Sequence, residues 1–354
     1  MDRFLVFAWF VLAGSFFQFQ GEAVASGIEK TSGAQSASTY SKGGYTPILL
    51  FYSGEPTPQH MQWVKDFLKS NKASKQVINE TLETVVYKLN NFKTGFAHPV
   101  YLSPESKTGN MCIVADGHFG EFDNPVSMLA SRSISQGLLK GVSVSLDKQA
   151  LLDNIATHEL FHCFDLMKQS QADTGRQIIR DGPQYYAYYS ETGADAYATL
   201  KYLRRTGDKK VLMTIRDFRT LNLLNGDTAH FTSRTVDYII RNVSRDDLLK
   251  LNTVQMIALA NFIRETTRMT PDEFDRFSLA VDDLSGEYLK RMGVKEEHPA
   301  IPGEASAPRA YLPELTAQAL QEIGAALHDL GGKTLMSNPE YLALLTKYKV
   351  NPPI

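Results

Sequence analysis

The stretch THELFHCFDLM, residues 157–167, places two histidines one helical turn apart inside a run of large apolar side chains. It predicts a helix from about 148 to 168, which Asp147 can cap at its start. Apolar residues lie on nearly every side of this helix: Leu151, Leu152, Ile155, Leu160, Phe161, Phe164, Leu166 and Met167. Such a helix is typically buried in a large core. Two histidines and a glutamate there would be costly without partners.

His158 and His162 project from one face of the helix, so both imidazoles can reach one cation at about 2.0–2.1 Å. Glu159 lies about 100 degrees round the helix, beside such a metal and not on it. From there its carboxylate can take a proton from a metal-activated water, which is the general-base role in hydrolysis. The pattern therefore predicts a Zn²⁺ site with Glu159 as the catalytic base. The alternative is a core helix whose histidines are satisfied by hydrogen bonds.

Catalytic zinc typically takes three protein ligands and leaves a fourth position for water. Glu191 and Asp195, in YYSETGADAYATLKYL (188–203), are four residues apart and share a helical face. One can bind the metal while the other accepts the free ring N–H of a ligating histidine. Small residues at Gly193, Ala194 and Ala196 would let this helix approach the first closely.

Asp165 is the rival third ligand, because it follows His162 by three residues on the same face. A ligand from the same short helix would be crowded, however, since zinc ligands normally converge from separate elements. Glu191 is the preferred ligand on this ground. Asp165 is then expected beside the site, hydrogen-bonded to a histidine or to neighbouring backbone.

HELFH followed by ETGAD resembles the gluzincin zinc peptidases, the thermolysin-like group with H-E-x-x-H, a gap, and E-x-x-x-D. The resemblance implies that His158, His162 and Glu191 ligate zinc, that Glu159 is the base and that Asp195 supports His158. It covers about 40 residues closely. The 28 residues between His162 and Glu191 form a longer gap than in thermolysin.

A hydrolase also needs a donor for the developing oxyanion. His230, with Asp227 three residues before it, lies in GDTAHFTSRTVDYII (226–240). HFTS resembles the gluzincin segment that supplies a transition-state histidine held by an aspartate, although the Asp spacing is shorter here. Alternatively, His230 simply precedes a helix. Another set of candidate donors, which can equally be packing residues, is Tyr185, Tyr186, Tyr188 and Tyr189.

The strand GVSVSL (141–146) precedes the histidine helix and alternates Val142, Val144 and Leu146. In gluzincins the corresponding edge strand pairs with an extended peptide, because its unpaired backbone groups accept another strand. The resemblance thus implies that Val142 and Val144 contact substrate. An ordinary sheet edge would show the same alternation.

The chain as a whole is expected to be α+β, with a small mixed sheet followed by a mainly helical C-terminal half, and the resemblance implies a zincin-like fold. Short β-branched or aromatic runs favour strands at 47–52, 99–102, 111–115 and 141–146. Apolar spacing of three and four favours helices at 59–70, 75–92, 184–205, 208–224, 231–243, 252–267, 271–292, 313–331 and 338–348. The expected divisions are a signal peptide (1–25), a flexible leader (26–44), an α/β subdomain (45–147), a helical zinc-site subdomain (148–300), and a connector with C-terminal helices (301–354).

The first 25 residues combine Arg3, a 16-residue apolar run and small residues at Ala23 and Ala25, which is typical of a cleaved export signal. An uncleaved anchor is the alternative, although about 20 residues are needed to span a bilayer. We expect an exported, periplasmic or secreted protein with no stable membrane insertion after cleavage. In such a compartment Cys112 and Cys163 can form a disulfide or remain small buried hydrophobes.

The net charge of −2, with basic residues interspersed, offers no basic stripe for nucleic acid. The resemblance to zinc peptidases implies that the partner is a peptide or protein substrate. Two other functions share these residues. One is a non-catalytic secreted binding protein with a zinc-stabilised core, and the other is a zinc hydrolase of a non-peptide amide or ester.

Overall fold

The computed structural model of the chain describes residues 35–41, 44–51, 57–91, 95–102, 110–115, 148–166, 170–293, 312–331 and 337–351. In chain order the elements are β1 (Gln35–Ser41), β2 (Gly44–Phe51), α1 (Pro58–Ser70), α2 (Lys75–Asn91), β3 (Phe96–Val100), β4 (Met111–Ala115), α3 (Lys148–Leu166), α4 (Gln171–Asp181), α5 (Pro183–Thr206), α6 (Lys209–Leu221), a 3₁₀ turn (Asn222–Asn225), α7 (Ser233–Asn242), α8 (Arg245–Leu249), α9 (Thr253–Thr267), α10 (Pro271–Arg291), α11 (Pro313–Gly331) and α12 (Pro339–Tyr348).

The described strands form one mixed sheet in the order β1-β2-β4-β3. β2 and β4 are parallel, whereas β1 and β3 run antiparallel to their neighbours. A parallel pair needs a long crossover, and α1, α2 and β3 lie within it. β4, with the sequence MCIVA, is buried along its whole length, as expected of a central strand covered on both faces.

Alternate residues of the sheet face two different cores. Leu49, Met111 and Ile113 pack with α1 and α2 on one face. Ile48, Cys112 and Val114 pack on the other face with α3, α5 and the helices that follow. The sheet therefore lies between two helical layers, and α3 is fixed against β3 and β4.

A disulfide joins Cys112 of β4 to Cys163 of α3, with the two Cα atoms 5.8 Å apart. Both cysteines are fully buried. The bridge that the sequence left open is thus present, and it ties the histidine helix to the central strand.

The small mixed sheet and the mainly helical remainder of the chain together confirm the α+β prediction. α3 and α5 cover one face of the sheet, and a second helical core joins α5, α6 and α10 to α11 and α12. Among the helices that the structure describes, none combines the length and the apolar character needed to cross a membrane.

Most predicted helices end within two residues of the observed bounds, but three elements differ from expectation. β1 overturns the C-terminal part of the flexible leader at 26–44, because its backbone pairs with β2 from Gln35↔Leu50 to Ser41↔Gly44. α4 and α8 are not predicted by apolar spacing, since α4 buries none of its side chains completely and α8 spans five residues. The signal peptide 1–25, Asp147, the strand at 141–146 with Val142 and Val144, and residues 298–311 of the connector lie outside the described residues.

Candidate metal centre

The site is formed by α3 and α5, which lie side by side in opposite directions. Asp153 near the start of α3 contacts Arg205 near the end of α5 (2.6 Å), and His162 near the end of α3 contacts Ser190 in the first part of α5 (3.0 Å). α5 begins with Pro183 and ends at Gly207, whose left-handed backbone (φ 72) lets its N–H return to Leu203 O. The helix pair therefore brings the two halves of the predicted motif together.

The three predicted ligands meet at one point. His158 Nε2 lies 3.1 Å from His162 Nε2 and 3.0 Å from Glu191 Oε2. His162 Nε2 lies 3.3 Å from Glu191 Oε1. Tetrahedral zinc with bonds of about 2.0–2.1 Å separates its ligand atoms by roughly 3.3 Å. Each of the three separations, two of which involve different oxygens of Glu191, lies within a few tenths of an ångström of that value, so the group could hold a zinc ion.

The hydrogen bonds of the rings also fit a metal. His158 Nδ1 lies 2.7 Å from Asp195 Oδ1, and since a carboxylate only accepts, Nδ1 is protonated and Nε2 of the neutral ring has a lone pair. When the Ser190 hydroxyl accepts from His162 Nδ1, Nε2 of that ring has a lone pair too. With both rings neutral, as metal binding requires, these two lone pairs face each other, and Glu191 Oε2 is buried without a hydrogen-bond partner. A cation between them satisfies all three atoms.

The electrostatics of the metal-free cluster follow from this proximity. Burial disfavours a charged His158, but the carboxylates of Glu191 and Asp195 outweigh it and raise the pKa of His158 to about 10. Burial acts against ionisation of Glu191 as well, yet His230, His158 and His162 hold the pKa of Glu191 well below its usual range. Metal binding must therefore displace a proton from His158.

Asp195 makes several hydrogen bonds, one of them to the proposed ligand His158. Besides His158, its carboxylate accepts from Arg219 Nη2 at Oδ1 (2.9 Å), from Arg219 Nε at Oδ2 (2.8 Å) and from the Thr232 hydroxyl at Oδ2. Burial opposes its ionisation, but Arg219 and His158 hold the pKa of Asp195 well below the ordinary value. The predicted support of His158 by Asp195 is confirmed.

Sequence reasoning missed Arg219, Thr232 and Ser190. Arg219 lies outside any motif, and Thr232 lies within HFTS without having been singled out; both are on later elements that the fold brings to Asp195. Ser190 directly precedes Glu191 in YYSETGAD, so its place at the start of the motif was the one available signal.

His230 and Asp227 lie beside the three ligands. His230 Nδ1 is 2.8 Å from Asp227 Oδ1 and 2.9 Å from Oδ2, while Nε2 is 3.5 Å from Glu191 Oε2. Burial opposes protonation, but Glu191 and Asp227 raise the pKa of His230 above its ordinary value. The pairing that the sequence suggested is present, and its Nε2 points to the same place as the ligands.

Glu159 of α3 lies within electrostatic range of Lys88. Lys88, in the last turn of α2, donates a hydrogen bond from Nζ to Ala97 O of β3 (2.8 Å). Burial lowers the pKa of Lys88, and the charge of Glu159 acts in the opposite direction. The predicted base thus neighbours an ammonium group that sits on the backbone of β3.

Asp165, which the sequence left as the rival third ligand or as a partner of a histidine or of neighbouring backbone, is not among the three groups that converge. Its carboxylate pairs with the guanidinium of Arg264, Oδ2 to Nη1 at 2.6 Å and Oδ1 to Nη2 at 3.3 Å. Arg264 comes from α9, which packs against α5, and its side chain reaches Asp165 near the end of α3. The contact to His162 Nδ1 is made by Ser190 instead.

The neighbouring tyrosines bind the junction of α9 and α10. The Tyr185 hydroxyl donates to Met269 O (3.0 Å), the Tyr188 hydroxyl accepts from Met269 N (3.0 Å), and Tyr189 donates to Glu265 (2.7 Å). Burial raises the pKa of Tyr186 to about 12. Three of the four alternative donors are therefore engaged in holding helices together.

No known protein family, curated protein or solved structure gives a significant match to this chain.

Proposed function

We propose that this chain is an exported zinc-dependent peptidase of the gluzincin type, with a zincin-like fold, that hydrolyses peptide bonds. One observation supports it above the others: two histidine Nε2 atoms and a buried, unpartnered Glu191 oxygen converge at zinc spacing, with each ring Nδ1 already bonded to a supporting group. That combination meets the usual requirements of a zinc site, including the outer contacts that orient the rings.

Zinc bound there would lower the pKa of a water molecule and polarise the scissile carbonyl. Glu159, next to ligand His158 in the chain, takes the proton from that water and passes it to the departing amine. His230 stabilises the developing oxyanion: with Nδ1 donating to Asp227, a protonated ring presents Nε2–H towards the site. Asp195 keeps His158 in the tautomer that leaves Nε2 for the metal.

The substrate is proposed to add as a strand along β3. Within the described residues β3 pairs with β4 on one side, and its Ala97 carbonyl meets Lys88 instead of a strand. Lys88 places this carbonyl near Glu159, where a bound peptide would need to lie. An extended peptide can share the oxygen, because a carbonyl accepts two hydrogen bonds. The Cys112–Cys163 disulfide supports export, since such bridges persist in oxidising compartments.

A second candidate function is a non-catalytic protein with a structural zinc. His230 Nε2 is 3.5 Å from Glu191 Oε2, so a neutral His230 could supply a fourth ligand and close the coordination sphere. The protonation state of His230 distinguishes the two functions. A protonated His230 can donate to the oxyanion in a catalytic site, whereas a neutral His230 can ligate the metal in a structural site. Hydrolysis of a non-peptide amide or ester would use the same residues as the peptidase.

The test combines metal content with turnover in the mature protein. We expect one zinc per chain, lost or much weakened in Glu191→Ala. In Glu159→Gln we expect zinc to be retained while cleavage of a mixed peptide library falls about 100- to 10,000-fold, the usual contribution of a general base. Glu83→Gln, an exposed position on α2, is the matched control and should change neither.

Three results would decide against the peptidase. Zinc unchanged in Glu191→Ala would remove the proposed ligand. Full turnover in Glu159→Gln would remove the proposed base. Bound zinc with no cleavage of any peptide would favour the structural site, or a non-peptide substrate if amides or esters were cleaved instead.

A further inference from the structure

Thr232 occupies the residue before α7 but does not cap that helix. A threonine there normally accepts a hydrogen bond from a free N–H of the first turn, an interaction worth about 1 kcal/mol. Here no such side-chain bond is made. The hydroxyl instead donates to Asp195 Oδ2, and the residue is 1% exposed.

Thr232 belongs to the same tight turn as His230. Its N–H bonds to His230 O at 2.8 Å, and the N–H of Phe231 bonds to Thr228 O at 3.1 Å. Phe231 is buried and stacks on Phe277, with ring centroids 5.0 Å apart. A shift of the Thr232 side chain therefore moves His230 with it.

Asp195 joins this turn to the metal ligands. Its Oδ1 faces His158 Nδ1 and its Oδ2 accepts from Thr232, so one carboxylate contacts both parts of the site. Arg219 and His158 already hold the carboxylate by three further contacts. The Thr232 bond is thus not needed to fix Asp195. It fixes the turn relative to Asp195.

A second contact joins the turn to the site, from His230 Nε2 to Glu191 Oε2 at 3.5 Å. It uses an oxygen of a proposed metal ligand. The bond from Thr232 to Asp195 uses no ligand atom, so it remains in the metal-bound protein.

We propose that Thr232 is a positioning residue, which sets the place of His230 relative to the metal ligands through Asp195. This rests on the proposed function, in which His230 stabilises the transition state. A displaced His230 lowers kcat and leaves substrate binding and zinc largely as they were, because neither depends on the hydroxyl.

The test compares three variants. Thr232→Val keeps the shape and removes the hydroxyl, and we expect kcat to fall about 10-fold, within the range for an outer contact, with KM and zinc affinity within about threefold. Thr232→Ser restores the hydroxyl and should recover kcat. Thr235→Val is the matched control, since Thr235 is equally buried on α7 and bonds to Thr267 at 2.7 Å, away from Asp195.

Thr235→Val should lower the melting temperature about as much as Thr232→Val and leave kcat unchanged. Equal kcat in the two valine variants, or a loss that Thr232→Ser does not recover, overturns the proposal. If the wild type proves inactive, the proposed function fails, but the effect of Thr232 on His230 can still be tested. It is then measured from the ¹³C resonance of the His230 ring, which is assigned by comparison with His230→Asn. That resonance should then move in Thr232→Val and stay in Thr235→Val; no movement overturns the coupling.

Discussion

Two aspartate–arginine pairs on the helices of the candidate metal site resemble each other in burial but differ in what else the carboxylate touches. Asp195 of α5 pairs with Arg219 of α6, and Asp165 of α3 pairs with Arg264 of α9. Both carboxylates are largely buried, with side chains 4% and 12% exposed. Only Asp195 also faces a ligand, at 2.7 Å from His158 Nδ1.

The difference shows that a shared helical face does not determine a partner. Asp165 follows His162 on one face of α3, yet it lies in the last turn, within reach of Arg264 from α9. Arg264 also bonds to Asn261 at 2.7 Å and lies 4.0 Å from the centre of the Tyr189 ring. The first pair thus orients a proposed ligand, and the second joins side chains of three helices.

The largest expected effect separates these two pairs. Asp195→Asn and Asp165→Asn each leave a buried arginine without its carboxylate, so each should cost about 3–5 kcal/mol in the free energy of unfolding. Asp195→Asn should also weaken zinc about 10- to 100-fold, because it disturbs the group that orients His158. Asp165→Asn should leave zinc affinity within about threefold, since Asp165 touches Arg264 and no ligand.

Urea unfolding of the metal-free variants and competition with a chromophoric chelator measure the two quantities independently. Each variant serves as the control of the other. If Asp165→Asn weakens zinc as much as Asp195→Asn does, the contrast disappears and Asp165 must be placed at the metal after all.

Sequence patterns predicted the α+β class, most helix bounds and the grouping of His158, His162 and Glu191, because helical periodicity and four-residue spacing are local properties. The support of His158 by Asp195 followed from the same spacing. The partners that complete the site could not be predicted this way. Arg219 and Thr232 reach Asp195 from 24 and 37 residues away in sequence, by packing that no local pattern encodes. The partner of Asp165, Arg264, is 99 residues away for the same reason.

The disulfide is a further constraint on α3, because it joins this helix to the sheet. Cys112 and Cys163 are 51 residues apart, and removing such a bridge should cost about 2–4 kcal/mol. We expect the double variant Cys112→Ala/Cys163→Ala to lose this free energy of unfolding. We expect it to weaken zinc binding less than Asp195→Asn does, because the side chains of both cysteines bond to each other and not to a proposed ligand.

Wild-type protein reduced by a thiol while unfolded is the control, and it should lose the same free energy of unfolding as the double variant. A double variant that unfolds at the same urea concentration as oxidised wild type would show that the bridge contributes nothing. Zinc loss as large as in Asp195→Asn would make the disulfide part of the metal site's support.

The smallest expected effect tests the close contact at which α3, α5 and α9 meet. A Cβ on Gly193 would lie 2.7 Å from Phe161 Cε1 and 2.8 Å from Arg264 Nη1, so Gly193→Ala must push these elements apart, at about 1–3 kcal/mol. Gly175 on α4 has nothing within 4 Å of the added methyl, and Gly175→Ala should stabilise the helix by about 0.5–1 kcal/mol. Because Gly193 lies between Glu191 and Asp195 on α5, its substitution should also weaken zinc, whereas that of Gly175 should not. If both alanine variants are more stable than wild type in urea unfolding, α3 and α5 are not in close contact. The contrast between the Asp195–Arg219 pair and the Asp165–Arg264 pair would then lose its structural basis.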